Sequence, residues 1–275
     1  GALLISRSDT TGEPRMRLTG KVALVTGGGS GIGKATALAL AREGAKLGVL
    51  SRTAADVEQT CAEIRHLGGD GLPITADIAD EAEMSAAIEN LVARFGRLDI
   101  IVANAGINGV WAPIDDLRPA EWDKTIAVNL RGTYLTLHYG VPHLKAAGGG
   151  SIIVVSSING TRTFSTPGAT AYTATKVAQV AMVQQLALEL GKFRIRVNAV
   201  CPGLIETNIP ESTRQRGQRE TEIPVVWPEG DIPITRGEAG RSKDVADVVV
   251  FLASDASRHV TGSPIWVDGG QGLLR

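Results

Sequence analysis

Cysteine is scarce: the 275-residue chain holds two, Cys61 and Cys201. They lie far apart with no partner spacing, which excludes a disulfide framework and a cysteine zinc site. Both read as small buried hydrophobes. Histidine is thin as well. His66, His138, His143 and His259 include no pair at metal-ligand spacing, so no metal site is expected. An excess of either charge is also lacking. The 28 basic and 29 acidic residues leave a formal net charge of -1, which gives no global attraction to nucleic acid or to an anionic membrane. No apolar run approaches the length that crosses a bilayer. Residues 1–17 lack a basic start followed by a long apolar stretch, so they read as an N-terminal extension and not as a secretion signal. These absences point to a soluble chain in a reducing, cytoplasmic setting, with neither nucleic acid nor membrane as a partner.

What is present is a rhythm. Short β-branched runs alternate with longer amphipathic stretches, the pattern of a parallel sheet wrapped by helices. Strands are expected at Val22–Thr26, Lys46–Leu50, Leu72–Ala76, Ile100–Ala103, Ser151–Ser156, Arg196–Val200 and Pro264–Val267. Their near-continuous apolar character suits strands buried on both faces. Helices are expected at Ile32–Glu43, Ala55–Leu67, Glu81–Phe95, Pro119–Ala146, Ala171–Leu190 and Lys243–Ala253, with Gly44 and Asp80 as punctuation. The expected architecture is one α/β doubly wound domain over 18–275, a seven-stranded parallel sheet with helices on both faces. Residues 208–241 break the rhythm with Pro210, Pro224, Pro228 and Pro233. A connection this long at the carboxyl end of a strand reads as a substrate lid. Its Arg214, Arg216 and Arg219 alternate with glutamates and read as a solvated face.

The first strand runs directly into Gly27-Gly-Gly-Ser30-Gly31-Ile32-Gly33 and then a helix. Glycines there permit a tight turn and let the backbone approach a pyrophosphate, whose charge sits at a helix N-terminus. The strand before and the helix after supply the context that such a motif requires. At the end of the second strand stand Ser51 and Arg52, where an acidic residue would bind a ribose 2′-hydroxyl and repel a 2′-phosphate. A serine hydroxyl and a guanidinium suit the phosphate instead, so NADP(H) is favoured, with NAD(H) as the alternative.

Farther along, Tyr172 and Lys176 stand four apart in a helical stretch. That spacing puts them on one face with Cβ atoms about 5–6 Å apart. A free phenol titrates near 10, too high for a base at neutral pH. A nearby ammonium favours the phenolate, as would an oxidised nicotinamide ring. Tyr172 would then exchange a proton with an alcohol or ketone while hydride moves at the ring.

The spacing T-G-x-x-x-G-x-G with Tyr-x-x-x-Lys resembles the single-domain short-chain dehydrogenases/reductases, over about Leu18 to Gly270. The resemblance implies further roles. Asp77, followed by Ile78, would bind adenine. Asn104-Ala105-Gly106 would close over the adenine ribose, with Ala103 in place of the usual first Asn. Pro202-Gly203, Ile205 and Thr207 would hold the nicotinamide carboxamide, and Val267 to Gly270 would form the terminal strand. Ser157 would hydrogen-bond the reacting oxygen, with Ser156 as its rival. Lys176 would hold the nicotinamide ribose and begin a proton relay, continued through a water held by Asn129.

The resemblance also implies a homotetramer. It is similar to 3-oxoacyl thioester reductases and to sugar or small-ketone dehydrogenases. The expected reaction interconverts a small-molecule secondary alcohol and its ketone, in a carbonyl or 3-oxoacyl reductase, with a sugar or polyol dehydrogenase as the alternative. The pocket is expected at Asn108–Pro113, at Thr161–Gly168, which must bulge beside the substrate, and at Ile209 and Trp227. A catalytically silent dinucleotide sensor or scaffold is the reading from another class. It would have lost Tyr172, Lys176 or Ser157, and all three are present.

Overall fold

The computed structural model describes residues 16–207, 212–223 and 232–274. In chain order its elements are β1 (Val22–Thr26), α1 (Gly31–Arg42), β2 (Lys46–Ser51), α2 (Ala54–His66), β3 (Gly71–Thr75), α3 (Glu81–Phe95), β4 (Ile100–Ala103) and β5 (Gly109–Trp111). There follow α4 (Pro119–Ile126), a π-helical turn (Ala127–Arg131), α5 (Gly132–Ala146), β6 (Gly150–Val155), α6 (Thr170–Gly191) and β7 (Ile195–Pro202). The last part holds β8 (Ile205–Glu206), β9 (Thr213–Gln215), α7 (Gln218–Thr221), β10 (Gly240–Arg241), α8 (Ser242–Ala253) and β11 (Pro264–Val267).

Seven of the strands form one parallel sheet in the order β11-β7-β6-β4-β1-β2-β3, as the alternation of elements implied. The apolar continuity of the strands has a simple cause. Val22 and Leu24 of β1 pack into the core on one face with Met84, Leu135 and Val183. Ala23 and Val25, between them, pack into the core on the other face with Leu40, Ile64 and Val249. Successive side chains point to opposite faces, so a strand covered on both sides is apolar except where a polar side chain finds a buried partner, as Asn198 does in the Val260 carbonyl. α3, α5 and α6 therefore cover one face and α1, α2 and α8 the other. Local chemistry sets the helix ends. Asp80 caps α3 by accepting from the Glu83 amide at 2.9 Å, and Gly96 ends it in the left-handed conformation at φ 80°.

At the opposite end of the sheet from the site, Asp99 is buried at 3% exposure. It accepts from Arg97 at 2.6 and 2.9 Å and from the Val22 amide at 3.0 Å, which ties the start of β1 to the start of β4.

Three features differ from the sequence expectation. Residues 119–146 are not one helix: a π turn interrupts them, in which the Gly132 N–H reaches back to the Ala127 carbonyl. The excursion after β7 carries short strands of its own, with β9 pairing parallel to β5 and β10 to β8. Arg216 is not a solvated charge either; its guanidinium pairs with Glu121 at 2.9 and 3.0 Å and with Asp116. Ile209, Pro210, Pro224, Trp227 and Pro228, expected in the lid, lie outside the described residues. Among the described residues no helix is long and apolar enough to cross a membrane, and no group of His, Cys, Asp and Glu could hold a metal ion.

Candidate active site

β1 pairs with β2 on one side and with β4 on the other. The direction in which successive strands are added reverses there, and a crevice opens at the carboxyl ends of the strands, where ligands of such sheets bind. The glycine turn leaves β1 at this point. Gly27 sits at φ 66°, a backbone that side chains avoid, and a Cβ on Gly33 would stand 2.0 Å from the Gly27 carbonyl oxygen. The turn can pack on the start of α1 only because Gly33 has no side chain. Asn104 braces it from β4, its Nδ2 donating to Thr26 O at 3.0 Å. The Thr26 hydroxyl accepts from the amides of Asn104 and Ala105 at 3.0 and 3.1 Å.

Around this turn lies a cleft of about 530 Å³. Gly27, Ser30, Gly31 and Ile32 form one wall, Ser51, Arg52, Asp77 and Ile78 the next, and Asn104, Ala105 and Gly106 the third. The structure therefore gathers the residues expected to hold a dinucleotide. Tyr172, Pro202, Gly203 and Ile205 line the neighbouring cavity instead, and two expected residues line neither: Lys176, and Gly33, which is buried beneath the turn as a packing position. Asp56, in the first turn of α2, also lines the cleft and was not foreseen; its carboxylate faces the same region as Arg52. Among the described residues Arg52 has no ion-pair partner.

A second cavity of about 410 Å³ adjoins the first, sharing Ile32 and Thr207. Tyr172, Asn108, Trp111, Pro202, Gly203, Ile205, Thr213 and Gln215 line it. A Cβ on Gly31 would approach Thr207 to 3.4 Å, so glycine keeps the neck between the cavities open. Two joined chambers, one at the glycine turn and one at Tyr172, fit an extended dinucleotide with its reactive end beside the phenol. Asn108 and Trp111 are where the sequence put them.

The segment 161–168 lies one step removed. The Asn159 side-chain oxygen accepts from Thr163 and Thr166 at 3.1 and 2.7 Å, which curls the segment back onto its own turn. Thr163 and Thr166 line a hollow of about 160 Å³ that adjoins the second cavity, sharing Gly203 and Leu204.

Tyr172 and Lys176 share one face of α6, and both are buried, at 7% and 4% exposure. The Lys176 ammonium lies 5.5 Å from the centre of the Tyr172 ring. It donates to the Val155 carbonyl at 3.0 Å and to Gln179 Oε1 at 3.2 Å. Burial pulls its pKa down to about 8, because a charge away from water is penalised. The same burial pushes the Tyr172 phenol above its ordinary value, and the hydrogen bond from Ser157 opposes it. Burial of the phenol thus works against the phenolate, which the ammonium and an oxidised nicotinamide were expected to favour.

Ser157 and Ser156 are separated by their partners. The Ser156 hydroxyl is spent on the Lys176 carbonyl at 2.9 Å and lies on the wall of the second cavity with Tyr172, whereas Ser157 accepts from the Asn159 amide at 3.1 Å and acts to lower the Tyr172 pKa. Asn129 is fully buried within the π turn. Its side chain pairs with the Ile107 backbone in both directions, at 2.8 and 2.9 Å. Its own carbonyl accepts from Gln179 Nε2 at 2.8 Å and Thr133 Oγ1 at 2.7 Å. Gln179 was missed in the sequence. The signal was there: Tyr172, Lys176 and Gln179, spaced four and then three residues apart on a buried helix, share one face. Both cysteines are buried, with burial raising their thiol pKa values, Cys61 to about 11.

Comparison with known proteins agrees with this geometry. The profile of the family described as Enoyl-(Acyl carrier protein) reductase, adh_short_C2, matches residues 27–271. The chain is a short-chain dehydrogenase/reductase. It is 38% identical to the 3-oxoacyl-[acyl-carrier-protein] reductase of Thermotoga maritima, over 93% of this chain and 99% of that protein. It is 35% identical to levodione reductase of Leifsonia aquatica, over 95% of this chain and 97% of the relative. Among solved structures, a 3-ketoacyl-ACP reductase from Sinorhizobium meliloti superposes with a TM-score of 0.89 at 67% identity, covering 92% of this chain and 100% of that one. As a member of this family the chain is an oxidoreductase of CH–OH and C=O groups that uses a nicotinamide dinucleotide.

Proposed function

We propose that this short-chain dehydrogenase/reductase reduces the ketone of a 3-oxoacyl thioester or a similar small carbonyl compound, with Tyr172 as the proton donor and NADP(H) as the preferred cofactor. The observation that carries the reading is the buried Tyr172–Lys176 pair on one face of α6, with Tyr172 lining the cavity that adjoins the dinucleotide-sized cleft.

When bound, the nicotinamide ring supplies the hydride. The chain's residues supply the rest. Ser157 donates its one hydrogen to the substrate oxygen beside the phenol, where negative charge develops. Tyr172, kept neutral by burial, holds the proton that this oxygen takes up. A phenol held neutral suits reduction, since the acid form is the one needed. Lys176 presents a positive charge to the phenolate left behind, offsetting part of its burial. Similarity to 3-oxoacyl and 3-ketoacyl reductases and to a levodione reductase favours a ketone substrate over a sugar.

The preference for NADP(H) is supported by Arg52 on the cleft wall without an ion-pair partner among the described residues. Asp56 on the same wall works against it. Assembly as a homotetramer is supported by β11 as an open edge of the sheet and by Leu188 of α6, which is 85% exposed. Sedimentation as a monomer would overturn that part.

The function is tested by following reduced-nicotinamide absorbance with 3-oxoacyl thioesters, diketones and cyclic ketones, and in reverse with sugars. Turnover of a 3-oxoacyl thioester with NADPH is expected. Turnover of sugars alone would replace the reading with a sugar dehydrogenase.

A further inference from the structure

Gln179 is buried at 1% exposure, and its three hydrogen-bond partners fix which way its amide points. One is the Asn129 carbonyl at 2.8 Å, which can only accept. A second is the Thr133 hydroxyl at 2.9 Å. That hydroxyl already donates its one hydrogen to Asn129 O at 2.7 Å, so it too must accept from Gln179. Both partners therefore require the NH₂ end. The Oε1 end is left facing Lys176 Nζ at 3.2 Å, where an ammonium requires an acceptor. No other orientation satisfies all three contacts.

We propose that Gln179 is a positioning residue of the active site, its side chain bridging the Lys176 ammonium to the Asn129 carbonyl. The inference rests on the reading of Tyr172 and Lys176 as the reacting pair. Two consequences follow from ordinary hydrogen-bond chemistry. A carbonyl oxygen has two lone pairs, and Gln179 and Thr133 occupy both at Asn129. The bridge thus holds Lys176 in place. Of the three N–H groups on the ammonium, Val155 and Gln179 take two. The third is left on the side of Gly106, a residue of the cleft wall whose Cβ, were there one, would stand 3.7 Å from Nζ.

The bridge also supports the charge. Lys176 sits in a desolvated place, and an acceptor at 3.2 Å favours the ammonium over the amine. The other titratable groups facing it are Tyr172 on α6 and the Cys201 thiol on β7. Neither changes when Gln179 is replaced.

The test is a titration of Lys176 by NMR of the full-length protein carrying ¹³C-labelled lysine, with the signal assigned by its disappearance in Lys176→Arg. Gln179→Met keeps the length of the side chain and removes the amide. Its Lys176 midpoint is expected about one pH unit lower than in the wild type. The kcat for ketone reduction should fall about twofold at neutral pH and about tenfold near pH 9, with KM for the ketone nearly unchanged. A residue that only fills space would alter the melting temperature and leave the midpoint and the kcat-to-KM split as they were; an unmoved midpoint overturns the proposal. Should the methionine variant fail to fold, Gln179→Glu is read in its place. Its carboxylate against Nζ must raise the midpoint, and an unmoved value again overturns the bridge. Because this titration needs no turnover, it separates the two claims: activity retained in Tyr172→Phe would refute the catalytic reading and leave the bridge standing.

Discussion

Replacing Gly33 by alanine tests the cofactor turn through its tightest contact. A Cβ at this position would lie 2.0 Å from the Gly27 oxygen, 2.7 Å from the Gly27 carbonyl carbon and 2.6 Å from Asn104 Nδ2. Ordinary contact begins near 3.4 Å, so the first of these falls short by about 1.4 Å. Two of the three obstacles are backbone atoms, and neither can rotate away. The third is the amide that braces the turn through Thr26. Relief requires the turn to open by something close to the whole shortfall. Overpacking of this kind costs about 1–3 kcal/mol, which in a chain of this size lowers the melting temperature by roughly 2–12 °C.

The functional loss should be larger than the stability loss. The displaced atoms are those that approach the cofactor, and a misplacement of about 1 Å can cost about 10²-fold in rate. The assay pairs a thermal melt with NADPH titration by fluorescence and with steady-state reduction. Gly191→Ala is the control, since a Cβ there meets nothing within 4 Å; it should leave activity unchanged and stability equal or slightly higher. If Gly33→Ala bound NADPH as the wild type does and melted at the same temperature, the packing argument for the turn would be wrong.

Arg52→Ala should raise KM for NADPH about tenfold, equivalent to ~1.4 kcal/mol, and leave KM for NADH unchanged; equal effects on both cofactors would remove Arg52 from phosphate recognition. Asp99→Ala strands the Val22 amide and the Arg97 guanidinium. It should destabilise the fold by about 2–3 kcal/mol without changing KM for either substrate, as urea unfolding and kinetics would show. Ketone reduction should hold its rate from neutral pH up to about 8 and decline above it, because Lys176 discharges near 8 and the acid form of Tyr172 then lacks its positive neighbour. A rate that climbs steadily across that range would contradict the assignment of proton donor.

The sheet and the cofactor turn were legible because their causes are local. Continuous apolar runs such as Val22–Val25 follow from burial on both faces, and the glycine turn from one steric demand. The Tyr172–Lys176 pair was legible because helical spacing alone puts them together. Features that escaped depend on partners distant in the chain. The pairing of β5 with β9 joins segments about a hundred residues apart, as does the clasp of Arg216 on Asp116 and Glu121. The π turn at 127–131 leaves no mark in periodicity, since a single wider turn looks like continued helix. The burial of Tyr172, which raises its phenol pKa, escaped because spacing shows the neighbouring charge but not the depth of burial.

The most direct test of the central claim is Tyr172→Phe, which removes one hydroxyl from a buried ring and little else. NADPH binding should stay close to wild type, while ketone reduction falls by about 10²–10⁴-fold, the range for loss of a positioned acid. Reduction at the wild-type rate in a variant that binds NADPH normally would show that the proton comes from elsewhere.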